Sequence, residues 1–159
     1  MADRQFQQVN YSLEKNIVRL YAVVSMTSST TPVLQKWNPP PPGSGSVGTY
    51  SAAATSNPAA TLRSNGWQGI NSVTRVSTGV WTFQMQDAYQ RLLQIGMNAT
   101  NSTGSPVAFA PAWWTTTNVQ SNSAPFIKIS LLSATNTPAD PSTGDLLFFA
   151  FELQNSTAV

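Results

Sequence analysis

Histidine and cysteine are absent from the 159-residue chain, and Asp, Glu, Lys and Arg together make up only 9% of it. Without imidazole or thiol there is no histidine-based acid–base chemistry, no Ser–His–Asp or Cys–His nucleophile, and none of the usual zinc ligand sets. No disulfide can staple the fold, but a chain of this length buries roughly 70% of its unfolded surface and needs no staple. Long apolar runs are missing too. The longest, "DLLFFAFEL" from Asp145, is strand-sized and far short of the ~20 residues of a membrane-spanning helix, so no membrane association is expected. The opening "MADRQFQQVN" lacks the basic-then-apolar pattern of a secretory leader. No phosphate-cradling loop is expected either, because "GSGSVG" from Gly43 follows prolines and opens no helix.

The scarcity of charge is the strongest compositional signal, since soluble proteins are typically about 25% charged. The eight Lys and Arg residues stand singly and exceed the acids by only two. Nucleic-acid binders cluster such cations to neutralise several phosphates at once, so no nucleic-acid partner is expected. The surface must instead be built of Ser, Thr, Asn, Gln and Ala. Such a surface gives up its water without stripping any ion, which suits a protein packed against neighbours. A neutral, Thr-rich β-domain that stays monomeric is the plainer alternative.

What the chain does have is β-pattern. "NIVRLYAVVSM" (16–26) sets a wholly apolar face of Val18, Leu20, Ala22 and Val24 against Ile17, Arg19, Tyr21 and Val23, as in a strand with one face on a core. Residues 31–37 read as a short strand. Residues 70–76 read as a strand, 77–79 as a hairpin turn with Gly79 suited to a positive φ, and 80–86 as a strand with Trp81, Phe83 and Met85 inward. The period then changes. Asp87 with Gln90 resembles a capping box, and Tyr89, Leu92 and Leu93 follow helical spacing to Gly96, which predicts a short helix over 87–95. Pro111 argues for an edge strand or bulge in the aromatic stretch 105–119. Residues 126–132 and 145–154 read as two strands that pair with one another. The second of these is apolar on both faces in its first half, so Leu146 and Phe148, on its outer side, are expected to be covered by the helix over 87–95, by the long arm or by another subunit.

The expected fold is therefore mainly β: a β-sandwich or jelly-roll-like domain spanning 1–159, with one short α-helix. An N-terminal arm covers 1–15. A long Pro/Gly/Ser-rich arm covers 38–66 and includes Pro39, Pro40, Pro41 and Pro42. Prolines donate no backbone hydrogen bond and favour an extended conformation. A segment this long inside a compact domain is usually functional or disordered.

Chemistry is hard to place on this chain. Two of the six carboxylates could in principle cleave a glycoside. Yet Asp87 has a capping role, Asp140 and Asp145 sit in a turn, and Glu152 faces outward on a strand. The oxygen-rich "DPSTGD" from Asp140 is a conceivable calcium loop, but it lacks the carboxylate density of one and reads better as a solvated turn. Of the five tryptophans, Trp81 is core by alternation. Trp113 and Trp114 must point to opposite faces, and Trp37 and Trp67 flank the long arm. Core or interface roles are favoured over a sugar-stacking platform. No cofactor and no metal are expected.

The stretch "GINSVTRVSTGVWTFQMQDAYQRLL" from Gly69 and the ending "ADPSTGDLLFFAFELQNS" from Ala139 resemble small structural proteins of tailed bacteriophages. The resemblance implies a capsid decoration, or cement, protein: a non-enzymatic β-rich homo-oligomer, dimer or trimer, on the head exterior, bridging subunits of the major capsid protein. The shared pattern carries no site, and the proline-rich arm is not part of it. The contact surfaces expected for such a role are the N-terminal arm (Arg4, Phe6), the Pro-rich arm (Trp37, Pro39–Pro42) and the outer face of the last strand (Leu146, Phe148). A tail- or fibre-associated receptor- or carbohydrate-binding β-module is the alternative.

Overall fold

The computed structural model describes residues 17–38, 49–52, 69–113 and 117–154; at 36–38, 49–52 and 113 only the backbone is described. Nine strands run through them: β1 (Ile17–Ser28), β2 (Thr31–Asn38), β3 (Thr49–Ala52), β4 (Ile70–Ser77), β5 (Val80–Met85), β6 (Arg91–Thr100), β7 (Ala110–Trp113), β8 (Phe126–Leu132) and β9 (Leu146–Gln154). They form two sheets, one of five strands in the order β3-β2-β1-β9-β6 and one of four in the order β4-β5-β8-β7, with every named pair antiparallel. Among the described residues there is no helix.

The period-2 pattern decides which side of each strand meets the core. In β9 it is unbroken: Leu147, Phe149, Phe151 and Leu153 are buried, while Leu146, Phe148, Ala150, Glu152 and Gln154 are half-buried on the other face. From the opposite sheet, Trp81 and Phe83 of β5 meet these residues. Phe83 packs edge-on to Phe149 and Phe151 at centroid distances of 4.9 and 5.1 Å, Phe149 stacks on Phe151 at 5.9 Å, and Trp81 lies 6.4 Å from Phe149. The core therefore lies between the two sheets, with aromatic rings at its centre and Leu, Ile, Val and Met around them. Edge-on and offset ring pairs contribute about 0.5–1.5 kcal/mol each beyond the area they bury.

Two expectations are overturned. The helix over 87–95 is a bend followed by β6. Tyr89 N–H donates to the Val119 carbonyl (2.7 Å) in the link between β7 and β8, and Gln90 N–H to that of Gln154 (2.7 Å) on β9, so these amides bond to distant segments and not to the preceding turn. The helical spacing was the trace of a β-bulge. The β6–β9 register slips between Leu92 and Gln94, so Leu92 opposite Leu153 and Ile95 opposite Phe151 share the inner face although three residues apart. Asp87 accordingly caps no helix and lies exposed in the link that carries the chain from one sheet to the other. The second correction concerns β8, which does not pair with β9. It lies between β5 and β7, while β9 lies between β1 and β6.

Pro111 does mark an edge, since β7 is the last strand of its sheet. Part of the expected Pro/Gly/Ser arm, residues 49–52, is β3, paired with β2 from Gln35↔Ala52 to Asn38↔Thr49. The expected contacts Arg4, Phe6 and Pro39–Pro42 lie outside the described residues, as do Trp67 and Trp114.

Candidate functional site

The outer face of the five-stranded sheet is set by the pairing of β1 with β9 and of β9 with β6, whose directly opposite residues share a side. Four inward rows fill the core: Val18–Leu153–Leu92, Leu20–Phe151–Ile95, Ala22–Phe149–Met97 and Val24–Leu147–Ala99. The outward rows alternate with them. At one end lie Ile17–Gln154–Arg91 and Arg19–Glu152–Gln94; in the middle is Tyr21–Ala150–Gly96; at the other end are Val23–Phe148–Asn98 and Ser25–Leu146–Thr100.

Chemical character changes along these rows. Charge gathers at the first end, where Arg19 Nε donates to Glu152 Oε1 at 2.9 Å across the strand pair. Both side chains are substantially exposed, so the pair does more for register than for stability, a few tenths of a kcal/mol. The middle row is small where it crosses β9 and β6. Tyr21 is 58% exposed, one of the most exposed large apolar side chains among the described residues, and on its β9 and β6 side lie Ala150 and Gly96. Gly96 is not needed sterically, since an added Cβ would meet Ala150 Cβ at an ordinary 3.7 Å. The absence of its side chain keeps the surface flat. At the far end Val23 is buried and Leu146 and Phe148 are half-buried. Gln35 on β2 is buried as well, its amide donating to Ser25 Oγ at 2.6 Å.

The structure thus places two of the predicted contact residues, Leu146 and Phe148, on this face together with Tyr21 and Val23. Trp37 lies on β2 with its side chain outside the described set. Tyr21 was legible as part of β1's non-core face, but alternation alone could not tell that its neighbours across two strands would be Ala and Gly.

The turn carboxylates have partners that sequence spacing did not reveal. Arg75 on β4 donates to Asp140 from Nε at 3.0 Å to each oxygen and from Nη2 at 2.6 Å to Oδ2, and Gly79 N–H donates to Oδ1 at 2.8 Å. Burial by itself would raise the Asp140 pKa. The Arg75 hydrogen bonds, the Gly79 N–H and the Arg75 charge outweigh it and hold the carboxyl below the usual carboxylate range. The buried Trp81 indole N–H adds a little in the same direction, although its geometry falls short of a hydrogen bond. Asp145 is buried and accepts the Ser142 N–H at 2.8 Å. Both carboxylates are thus engaged in closing the "DPSTGD" turn. Among the described residues no three His, Cys, Asp or Glu side chains converge as metal ligands would.

The chain matches no protein-family model, and no match to it was found among curated proteins or solved structures.

Proposed function

We propose that this chain is a non-enzymatic virion structural protein, a decoration or cement protein that bridges major capsid protein subunits on the outside of a tailed-phage head. The observation that carries the reading is the outer face of the five-stranded sheet, where an exposed tyrosine stands over a flat strip of Ala and Gly beside half-buried Leu146 and Phe148. A surface with so few ions can be laid against a neighbour at low desolvation cost. The resemblance of the 69–93 and 139–156 stretches to small phage structural proteins points the same way.

The architecture is read as a β-sandwich of jelly-roll-like wrapping. β1 pairs with β9 in one sheet, and the next pair inward in sequence, β5 with β8, lies in the other. β6 then adds to β9 and β7 to β8. Nested pairs alternating between two sheets are what a long hairpin produces when it folds over itself, an arrangement found in viral capsid domains and in lectins alike. Fold does not dictate function, so the face carries the argument.

Three strands of about nine residues cover on the order of 14 by 30 Å. That is about half of the ~800 Å² that one partner contributes to a standard interface. One face alone therefore makes a weak contact. A dimer or trimer engaging several capsid sites gains roughly 10²–10⁴ in avidity, which is how such a protein would hold.

The test is to image particles assembled with and without the chain by cryo-electron microscopy. Density on the head exterior that disappears with the gene is expected; particles without it, or density on the tail alone, overturn the proposal. Tyr21→Lys should weaken attachment with an unchanged circular dichroism spectrum, because the side chain is outside the core.

A further inference from the structure

The turn after β8 holds a group of side chains that neither the fold nor the outer face requires. Ser133 N–H donates to the Thr137 carbonyl at 3.0 Å and Asn136 N–H to that of Ser133 at 2.9 Å, and the Leu132↔Pro138 bridge closes the loop. Asn136 takes a positive φ of 57°, a conformation Asn tolerates better than most residues. Within this loop the hydroxyls of Ser133, Thr135 and Thr137 stand 2.9, 3.0 and 3.1 Å from one another. Each hydroxyl has one donor and two acceptor lone pairs. A closed ring uses one of each, which leaves every oxygen one further acceptor lone pair.

Beside the ring lies a shallow cleft of about 210 Å³, lined by Ala108, Phe109, Ala110, Leu132, Ser133, Ala134 and Asn136. Phe109 is half-buried and packs against the core while also lining the cleft. Among the described residues that line it there is no Asp, Glu, Lys or Arg, which favours a neutral ligand over an ion. Its size is below the roughly 300–1,000 Å³ of drug-sized sites, closer to what a single ring would fill.

We propose that this cleft is a subsite for a neutral saccharide. The apolar C–H face of a pyranose would lie on Phe109 and the alanines. Its hydroxyls, donors and acceptors at once, would meet the Ser133 oxygen and the Asn136 amide, with the Ser133–Thr135–Thr137 ring polarising the first of these. A purely apolar ligand would leave that polar rim unpaired, which disfavours it. With so small a cleft the affinity is expected on the order of millimolar. The inference stands on the cleft alone and holds whether or not the chain decorates a head.

The experiment is an amide NMR titration of the full chain with the methyl glycosides of glucose, galactose, mannose and N-acetylglucosamine, with glycerol as control. Saturable shifts for at least one glycoside, centred on Phe109, Ala110 and residues 133–137, are expected. Asn136→Gly preserves the left-handed backbone and Ser133→Ala removes one hydroxyl; each should weaken binding by about tenfold, the worth of one lost hydrogen bond. The proposal is overturned if no glycoside saturates, if glycerol gives the same shifts, or if both variants bind as well as the parent.

Discussion

Asp140 is the residue on which a whole corner of the molecule converges, because it receives the Arg75 guanidinium and the Gly79 N–H together. Its lowered pKa fixes the sign of a pH effect. A carboxyl whose folded pKa lies below its unfolded value of about 3.9 contributes stability that is complete above that value and is lost as pH falls through the folded one. Urea midpoints should therefore fall more steeply from pH 5 to about pH 2 in the parent than in Asp140→Asn, which titrates no group there. Gly79 is the second sensitive point. It has φ 64°, and a Cβ there would meet Ala139 N at 2.5 Å and Leu131 O at 2.9 Å. Gly79→Ala should cost about 1–2 kcal/mol for the left-handed backbone and more for the clash with main chain, read as a lowered thermal midpoint. The glycine was legible from the "STG" turn between two alternating runs. The carboxylate's role was not, because Arg75 and Asp140 are 65 residues apart and only the folded chain brings them together.

Strands were legible wherever alternation was strict. β1, β5, β8 and β9 fall within a few residues of where polarity placed them, because their inner faces are apolar at period two; β4 was placed as well, by its β-branched residues and the turn that follows, although a bulge sets its buried Ile70 and Val73 three residues apart. β6 was misread for a definite reason: a single bulge residue converts period two into a three-residue step, and Asp and Gln in a sheet-switching link imitate a capping box. The partner of β9 was misread because both β1 and β8 offer apolar faces, and pattern does not say which strand is adjacent. At this scale Phe149→Ala is expected to be among the costliest substitutions. It removes the ring that touches Trp81, Phe83 and Phe151 at the centre of the core, and should cost about 3–5 kcal/mol in chemical denaturation. A loss below about 1 kcal/mol would mean the two sheets do not close over this ring.

For the molecule as a whole, the shortage of ions makes a prediction about salt. Screening lengths shrink from about 10 Å at 0.1 M to 3 Å at 1 M, which weakens contacts made through exposed charge. Attachment through a face dominated by Tyr21, Ala150, Gly96 and Phe148 should change less than about threefold across that range in a particle-binding assay. A steep salt dependence would shift the contact to the scattered cations. The outer face itself was only half legible. Leu146 and Phe148 stood out by their position on β9, whereas the flatness beside Tyr21 depends on three strands drawn from opposite ends of the sequence.

The register that places Ile17 opposite Gln154 has a mechanical consequence. Both strands leave the ladder at the same end, so tension applied between these two residues would peel β1 from β9 one rung at a time and never load the rungs in parallel. Pulled that way, by optical tweezers for instance, the domain should yield at low force. A clamp that resists the swelling of a filled shell would have to take its load elsewhere, through the broad side of the sheet.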